Sequence, residues 1–550
     1  MKKRLVALLL CCSMLLLCSC SLLSDLRSML RDIRYINSGI QPGYNHDGTI
    51  NYEFDESVKN TIEDQFAKIE EMLQDNNLSR STAFVLIYGQ LLSNIYYVSD
   101  HANLAYLELS KDTSNEANNL KSKELSFLAN DYHARLVRLY EPIYYSAYSE
   151  EFYSQWEEEE IQKALKMGKM YSEKYVELKN KGDEYVRNYE ALDQTSDSFL
   201  ADSASYYYDI VQNNLNIAKE MEEQSYTEYA YDMVYGRDYT PEDARYFHQY
   251  VKEYVVPLGK STLQDLQGYK NLNSVLSATQ KLIDTSVTSD EMEKILTPYY
   301  KTLGNNYSKA FENFNQHYFS VNNKNSLKGA YTFYLNYYRQ PVCFFGSGSQ
   351  ALMTYIHEQG HYSAFYSSGG SIDSVDLCEV QSQSNEWLYL SYISSDYSEK
   401  DHLYLAKNFL LNDILTVTMS ACCDAFEQYV YAHPELKAGD YDRVFAEQAE
   451  ELGAYDFLKS AMSYPPENYW HYAIVANSLY YLSYAVSLIP TLEIYVTAEE
   501  QGFEQAVRLY KTLSDVETGE TFLEVLEKAG LSSPFDEQVF RRIQNYFKFK

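Results

Sequence analysis

The sequence predicts a mainly α-helical protein with one short β-forming stretch, and three observations carry that expectation. Apolar residues recur at intervals of three and four through long runs poor in Pro and Gly, such as "ESVKNTIEDQFAKIEEMLQD" (56–75) and "EEEEIQKALKMGKMYSEKYVELKNKGDEYV" (157–186). A clear helix start stands at 239–258, "YTPEDARYFHQYVKEYVVPL". There Thr240 suits the N-cap, Pro241 the first helical position, and Glu242 and Asp243 the positive end of the helix dipole. The segment 329–349, "GAYTFYLNYYRQPVCFFGSGS", breaks the helical pattern. It is dense in aromatics, holds Pro341 and ends in Gly-Ser turns, which reads as short strands before a helix.

Taken in order, the chain opens with "MKKRLVALLLCCSMLLLCSCSLLSD", in which Lys2, Lys3 and Arg4 precede an apolar run from Leu5 to about Leu17. That run is short for a membrane span but suits the core of a signal peptide. "LCSC" (17–20) resembles a bacterial lipobox, and the resemblance implies cleavage after residue 19 and acylation of Cys20. The expectation is a bacterial lipoprotein, extracytoplasmic and held to the membrane by its lipid anchor. Residues 20–50 read as a tether, because "NSGIQPGYNHDGT" (37–49) is rich in turn residues. Residues 51–235 read as an N-terminal helical lobe and 236–550 as a second lobe. No repeat of fixed length is evident.

Composition narrows the function classes. Of 550 residues, 45% are hydrophobic and 57 are tyrosine, a globular makeup whose phenols suit a polar cleft as well as a core edge. A net charge of −32 argues against nucleic acid as a partner, since a phosphate backbone needs a basic face. Four cysteines lie in the leader; Cys343, Cys378, Cys422 and Cys423 show no zinc or disulfide spacing and read as small buried hydrophobes.

The chemistry concentrates in "MTYIHEQGHYSAFY" (353–366). On a helix His357 and His361 are i and i+4 and project from one face, while Glu358 lies one position round. Two imidazoles and an adjacent carboxylate are the parts of a catalytic zinc: two ligands, and a base for the water. With 10 histidines in the chain, chance produces such a string on the order of once in a hundred chains of this length. A third ligand is therefore required. Ser349 is expected to cap this helix and Gly369-Gly370 to end it. The next segment, "SIDSVDLCEVQSQSNEWLYLSYIS" (371–394), reads as a helix capped near Asp373 or Asp376. On its geometry alone either Glu379 or Glu386 qualifies as the third ligand, the second choice being that of a thermolysin-like site.

"HEQGH" resembles the HExGH core of the oligoendopeptidase F and thimet oligopeptidase family of zinc peptidases. In that family a downstream helix carries a zinc-binding glutamate with a second glutamate seven residues later, which implies Glu379 as ligand and Glu386 behind it. The resemblance extends to "RDYTPEDARYFHQYVKEYVVPL", to "GAYTFYLNYYRQPVCFF" and to "SLYYLSYAVSL" (478–488), which is similar to the family's tyrosine-rich substrate segment. It covers roughly 236–500. It implies a two-lobed helical zinc metallopeptidase with a small β-sheet beside the HExxH helix and a deep substrate channel that admits short peptides. One Zn²⁺ per chain would be held by His357, His361 and Glu379, with Glu358 as general base. Tyr481 and Tyr484 map to tyrosines that face substrate and oxyanion. The family's histidine shortly before that segment has no match at Ala473, and His471 stands two residues earlier. The "CFFGSGS" strand is expected to bind substrate backbone by β-augmentation, with Gly346 allowing close approach. The rival reading from another class is a non-catalytic peptide-binding lipoprotein with the same channel.

Overall fold

The computed structural model describes residues 53–549 except 171, 371, 373 and 518. The leader, Cys20, the whole of the expected tether and Asp373 lie outside the described residues. The chain forms two compact units, residues up to 106 with 117–168, and residues 107–116 with 169–550. The expected boundary near residue 235 falls inside the second unit.

In the first unit, helices α1 (Ser57–Asp75), α2 (Ser81–Lys111, whose last turn belongs to the second unit) and α3 (Glu116–Val137) supply the frame. Their three-and-four spacing buries Ile62, Phe66, Ile69 and Met72 of α1 along one stripe. Arg135 lies over the Phe66 ring at 4.0 Å and makes a two-pronged pair with Glu63 at 2.7 and 2.9 Å. Tyr148 stacks on Phe84 and donates its hydroxyl to the Met72 carbonyl at 2.9 Å.

The second unit is mainly helical around a three-stranded sheet. Helix α4 (Phe199–Glu220) precedes a π-helical turn at Ala230–Val234, and α5 (Pro241–Tyr250) starts where the sequence placed it. Thr240 accepts from the Asp243 amide and Asp243 accepts in return, a full capping box with Pro241 at the first position. Strands β1 (Tyr318–Ser320), β2 (Ala330–Leu335) and β3 (Gln340–Phe345) follow. The sheet order is β1-β3-β2, with β1 parallel and β2 antiparallel to β3. The central β3 is a continuous apolar run buried from Pro341 to Phe345, as a strand covered on both faces must be.

Helix α6 (Leu352–Ser368) leaves the sheet and α7 (Val375–Tyr392) returns beside it. Gly369 ends α6 in the left-handed conformation at φ 65°, as expected. The start of α6 differs from expectation: Ala351 occupies the N-cap, and Ser349 turns back to donate to the Gly346 carbonyl at 2.8 Å. The cap of α7 is Ser374, whose hydroxyl accepts from the Leu377 amide. Asp376 instead lies in the first turn, buried, accepting from Tyr239 at 2.9 Å.

Helices α8 (Glu399–Ala432) and α9 (Leu482–Gln501) complete the core around α7. α8 is long and apolar enough to cross a membrane, yet it buries Ile414, Val417, Phe426 and Val430 within this unit, as a core helix does. Small residues let α7 and α9 approach closely, with Ser384 and Thr491 hydroxyls 3.2 Å apart. Cys343, Cys422 and Cys423 are buried free thiols and Cys378 is half-buried.

Candidate active site

Gly360, the glycine of "HEQGH", explains how two helices come to share one site. A Cβ there would meet the Ser382 Cα at 2.6 Å and the Gln381 carbonyl oxygen at 2.8 Å. Only a residue without a side chain lets α6 and α7 touch backbone to backbone. That contact brings Glu379 opposite both histidines. Glu379 Oε2 lies 3.7 Å from His357 Nε2 and 4.0 Å from His361 Nε2. Ligand atoms of the three residues fall within 4.8 Å of one another, slightly wider than the ~3.4 Å spacing that tetrahedral bonds of about 2.0–2.1 Å require.

The outer nitrogen of each imidazole is anchored. Glu386 Oε1 holds His357 Nδ1 at 2.6 Å, and the backbone carbonyl of Cys378 takes a hydrogen bond from the His361 ring. Such partners fix the tautomer that aims Nε2 inward. The seven-residue interval thus separates two roles: Glu379 faces the histidine pair, and Glu386 braces His357 from behind.

The electrostatics suit a cation. Burial pushes the Glu379 carboxyl upward, against the opposing pull of His357 and Ser382. Burial drives His361 well below its ordinary value, helped by the neighbouring His357 charge. Burial also opposes charging of His357, but the Glu386 hydrogen bond and the charges of Glu386 and Glu379 carry it up to about 10. Two half-buried imidazole nitrogens and a buried carboxylate around one point form the donor set that a divalent transition metal compensates.

Glu358 is buried one position round from the histidines. Its Oε2 accepts from the Thr332 hydroxyl at 2.6 Å. Burial raises its carboxyl to about 7, the His357 charge and Thr332 hydrogen bond pulling the other way. Thr332 sits in β2 opposite Cys343, so the sheet orients the carboxylate. Nothing in the spacing of β2 marks this threonine; only the fold brings it to the helix.

No protein-family profile matches the chain, and no curated protein matches its sequence. Solved structures do match. A Pz peptidase A crystallised with an inhibitor aligns at TM-score 0.70 and 17% identity, over 91% of this chain and 99% of that one. A crystal structure assigned to oligoendopeptidase F of Bacillus anthracis str. Ames aligns at 0.68 and 17%, over 91% and 97%. Oligoendopeptidase F from Enterococcus faecium aligns at 0.53 and 14%, over 90% and 98%. The chain has the oligoendopeptidase fold.

Within this fold the tyrosine segment leads into α9. Tyr480 and Tyr484 are half-buried with hydroxyls 3.4 Å apart, and each lies within electrostatic reach of Glu379. Burial raises both phenols, which therefore keep their protons. Tyr481 packs on the core, its ring 5.8 Å from that of Tyr484 and 6.2 Å from that of Tyr480. The phenol paired with Tyr484 is thus Tyr480, a residue the motif register passed over. The i, i+4 spacing of 480 and 484 was the available signal.

Two sequence expectations are corrected. His471 is fully buried against Trp470, with Nδ1 on Ser203 Oγ at 2.7 Å and Nε2 on Asp442 Oδ1 at 2.8 Å. Both ring nitrogens are committed, so His471 has none to offer an oxyanion. Strand β3, the "CFF" strand, is flanked by β1 and β2 and cannot take a peptide as a further strand. The missing side chain of Gly346 serves the protein's own backbone: a Cβ would collide with the Leu327 carbonyl, and the Gly346 amide donates to Gly329 at 2.8 Å.

Proposed function

We propose that this protein is a zinc-dependent oligopeptidase that hydrolyses short peptides, anchored outside the cytoplasm through Cys20. The observation that carries the enzymatic reading is the convergence of His357, His361 and Glu379 beside a separately held Glu358, on the oligoendopeptidase fold. Anchoring rests on the leader sequence and "LCSC" alone.

His357, His361 and Glu379 would hold the zinc, which when bound supplies Lewis acidity, making water more acidic and polarising a carbonyl. Glu358 accepts the proton of the attacking water as its oxygen bonds to the scissile carbonyl carbon. It returns that proton to the amine as the C–N bond breaks. A carboxyl poised near 7 is suited to both halves of this transfer. Thr332 keeps the carboxylate directed, and Glu386 keeps His357 directed. The protonated phenols of Tyr484 and Tyr480 donate to the oxygen on which negative charge develops.

The test is Glu358→Gln, which keeps size and loses basicity. The purified variant is expected to hold one zinc per chain and bind short peptides, with kcat down by about 10²–10⁴. Peptide mass spectrometry and zinc content are read on the same samples. A zinc-replete wild type that binds a broad peptide pool and cleaves none of it would instead make the protein a peptide-binding lipoprotein. Cys20→Ser is expected to leave the membrane fraction; a variant still membrane-bound at unchanged mature mass would refute the anchor.

A further inference from the structure

The turn that delivers Tyr480 and Tyr484 is conformationally costly and held by buried groups. Leu479 is fully buried yet adopts φ 62°, a left-handed conformation that a branched residue rarely takes. Its amide donates to Glu427 Oε2 of α8 at 2.8 Å. Its carbonyl accepts from Arg237 Nη2 at 2.8 Å, and the same nitrogen reaches the Ser483 hydroxyl at 3.2 Å and the Tyr480 carbonyl at 3.4 Å. Tyr235 donates to the Ser478 carbonyl at 2.6 Å. Every residue from 478 to 480 is therefore gripped through its backbone.

Arg237 is a buried cation, a group that costs stability wherever its charge is not compensated. Its guanidinium lies over the rings of Tyr231 at 4.4 Å and Tyr235 at 4.8 Å, placed by the π-helical turn at Ala230–Val234. Among the described residues its side-chain hydrogen bonds all go to 479–483. A core that needed only packing would be served better by an apolar side chain of similar volume. Strain and buried charge meeting at one turn point to a functional constraint on what that turn carries.

We infer that Arg237, with Tyr235 and Glu427, is a positioning device for the phenol pair of Tyr480 and Tyr484: it holds the left-handed turn at Leu479 in the conformation that sets the two hydroxyls 3.4 Å apart. The role in catalysis rests on the peptidase reading; the ordering of the turn does not.

Arg237→Lys keeps the charge and loses the planar fork. It is expected to retain zinc and a near-normal KM while kcat falls by up to about 10²-fold, the loss of an oxyanion donor. In a Tyr480→Phe/Tyr484→Phe background the same substitution is expected to cost less than about twofold, because residues acting through one another are not additive. Tyr235→Phe, which removes one hydroxyl, is expected to show a smaller loss with the same pattern, and it carries the test should the arginine variant not fold. Fluorotyrosine placed at 484 alone gives a readout without turnover: one narrow fluorine resonance in wild type, broadened or split in either variant. Unchanged kcat and an unchanged resonance would overturn the inference. So would an equal kcat loss with and without the phenols, which marks a merely structural residue. A zinc-loaded wild type that cleaves nothing removes the peptidase reading, and the fluorine spectra then decide the ordering of the turn by themselves.

Discussion

Thr332 and Glu386 act on the site through hydrogen bonds to one residue each, Glu358 and His357, and each gives a separable effect. Thr332→Val removes a bond that favours the Glu358 carboxylate, leaving burial, which favours the neutral acid. The Glu358 pKa then rises further, and a base must be deprotonated to work. The acidic limb of the pH–kcat/KM profile is therefore expected to move to higher pH, with more activity lost at pH 6 than at pH 8. Glu379→Ala is expected to lose zinc and activity together. Glu386→Ala, which frees only the back of His357, is expected to bind zinc about 10–100-fold more weakly. Metal titration of both variants reads the difference, and zinc lost solely from the Glu386 variant would exchange their roles. Glu427 offers a stability test. Burial holds its carboxyl well above the ordinary 4.5, so its contribution is full below that value and is lost as pH rises toward the folded pKa. Glu427→Gln keeps an acceptor for Leu479 and is expected to flatten this decline in thermal melts across pH 5–8.

Between elements, the decisive contact is that of α6 with α7. Gly360→Ala places a methyl group against the Ser382 backbone, which cannot rotate away as a side chain can. The helices must part, at a cost of roughly 1–3 kcal/mol for overpacking, and Glu379 moves from the histidines. A lower melting temperature together with weaker zinc binding is expected; unchanged zinc affinity would detach the glycine from the site. The same contact shows how far the sequence was legible. The 379, 383, 386 stripe placed α7, the histidine motif and its Gly-Gly end placed α6, and cap chemistry placed Thr240, because those depend on neighbours along the chain. The interval from Glu379 to Glu386, read through the family resemblance, singled out both glutamates, and the structure sets Glu379 by the histidine pair and Glu386 on His357 Nδ1. What stayed hidden depends on partners far away in sequence: Thr332 reaching Glu358 from β2, Ser203 and Asp442 occupying His471, Arg237 gripping 479–483. The Ser349 cap failed for a local reason, since its hydroxyl bonds backward to Gly346 and the helix begins later. Gly346 was expected to admit substrate backbone, whereas the backbone that approaches it is the chain's own.

For the molecule as a whole, a charge of −32 repels anionic and attracts cationic peptides. kcat/KM for Lys- and Arg-containing peptides is expected to fall as salt rises from 10 to 150 mM, and that for acidic peptides to rise, as screening shortens the reach of the field. Equal salt responses for both would remove long-range steering. The anchoring of both imidazoles has a consequence of another kind. With His357 pinned to Glu386, His361 to the Cys378 carbonyl, and α6 held against α7 at Gly360, the three donors converge through the protein's own bonds. A zinc ion would then find its donors already gathered, needing only a slight closure to bonding distance. In a zinc finger the metal organises the chain, and a chelator unfolds it. Here a chelator is expected to abolish cleavage while leaving the far-ultraviolet circular dichroism unchanged. Re-addition of zinc should restore activity with almost no change in heat capacity, because no apolar surface is left to bury.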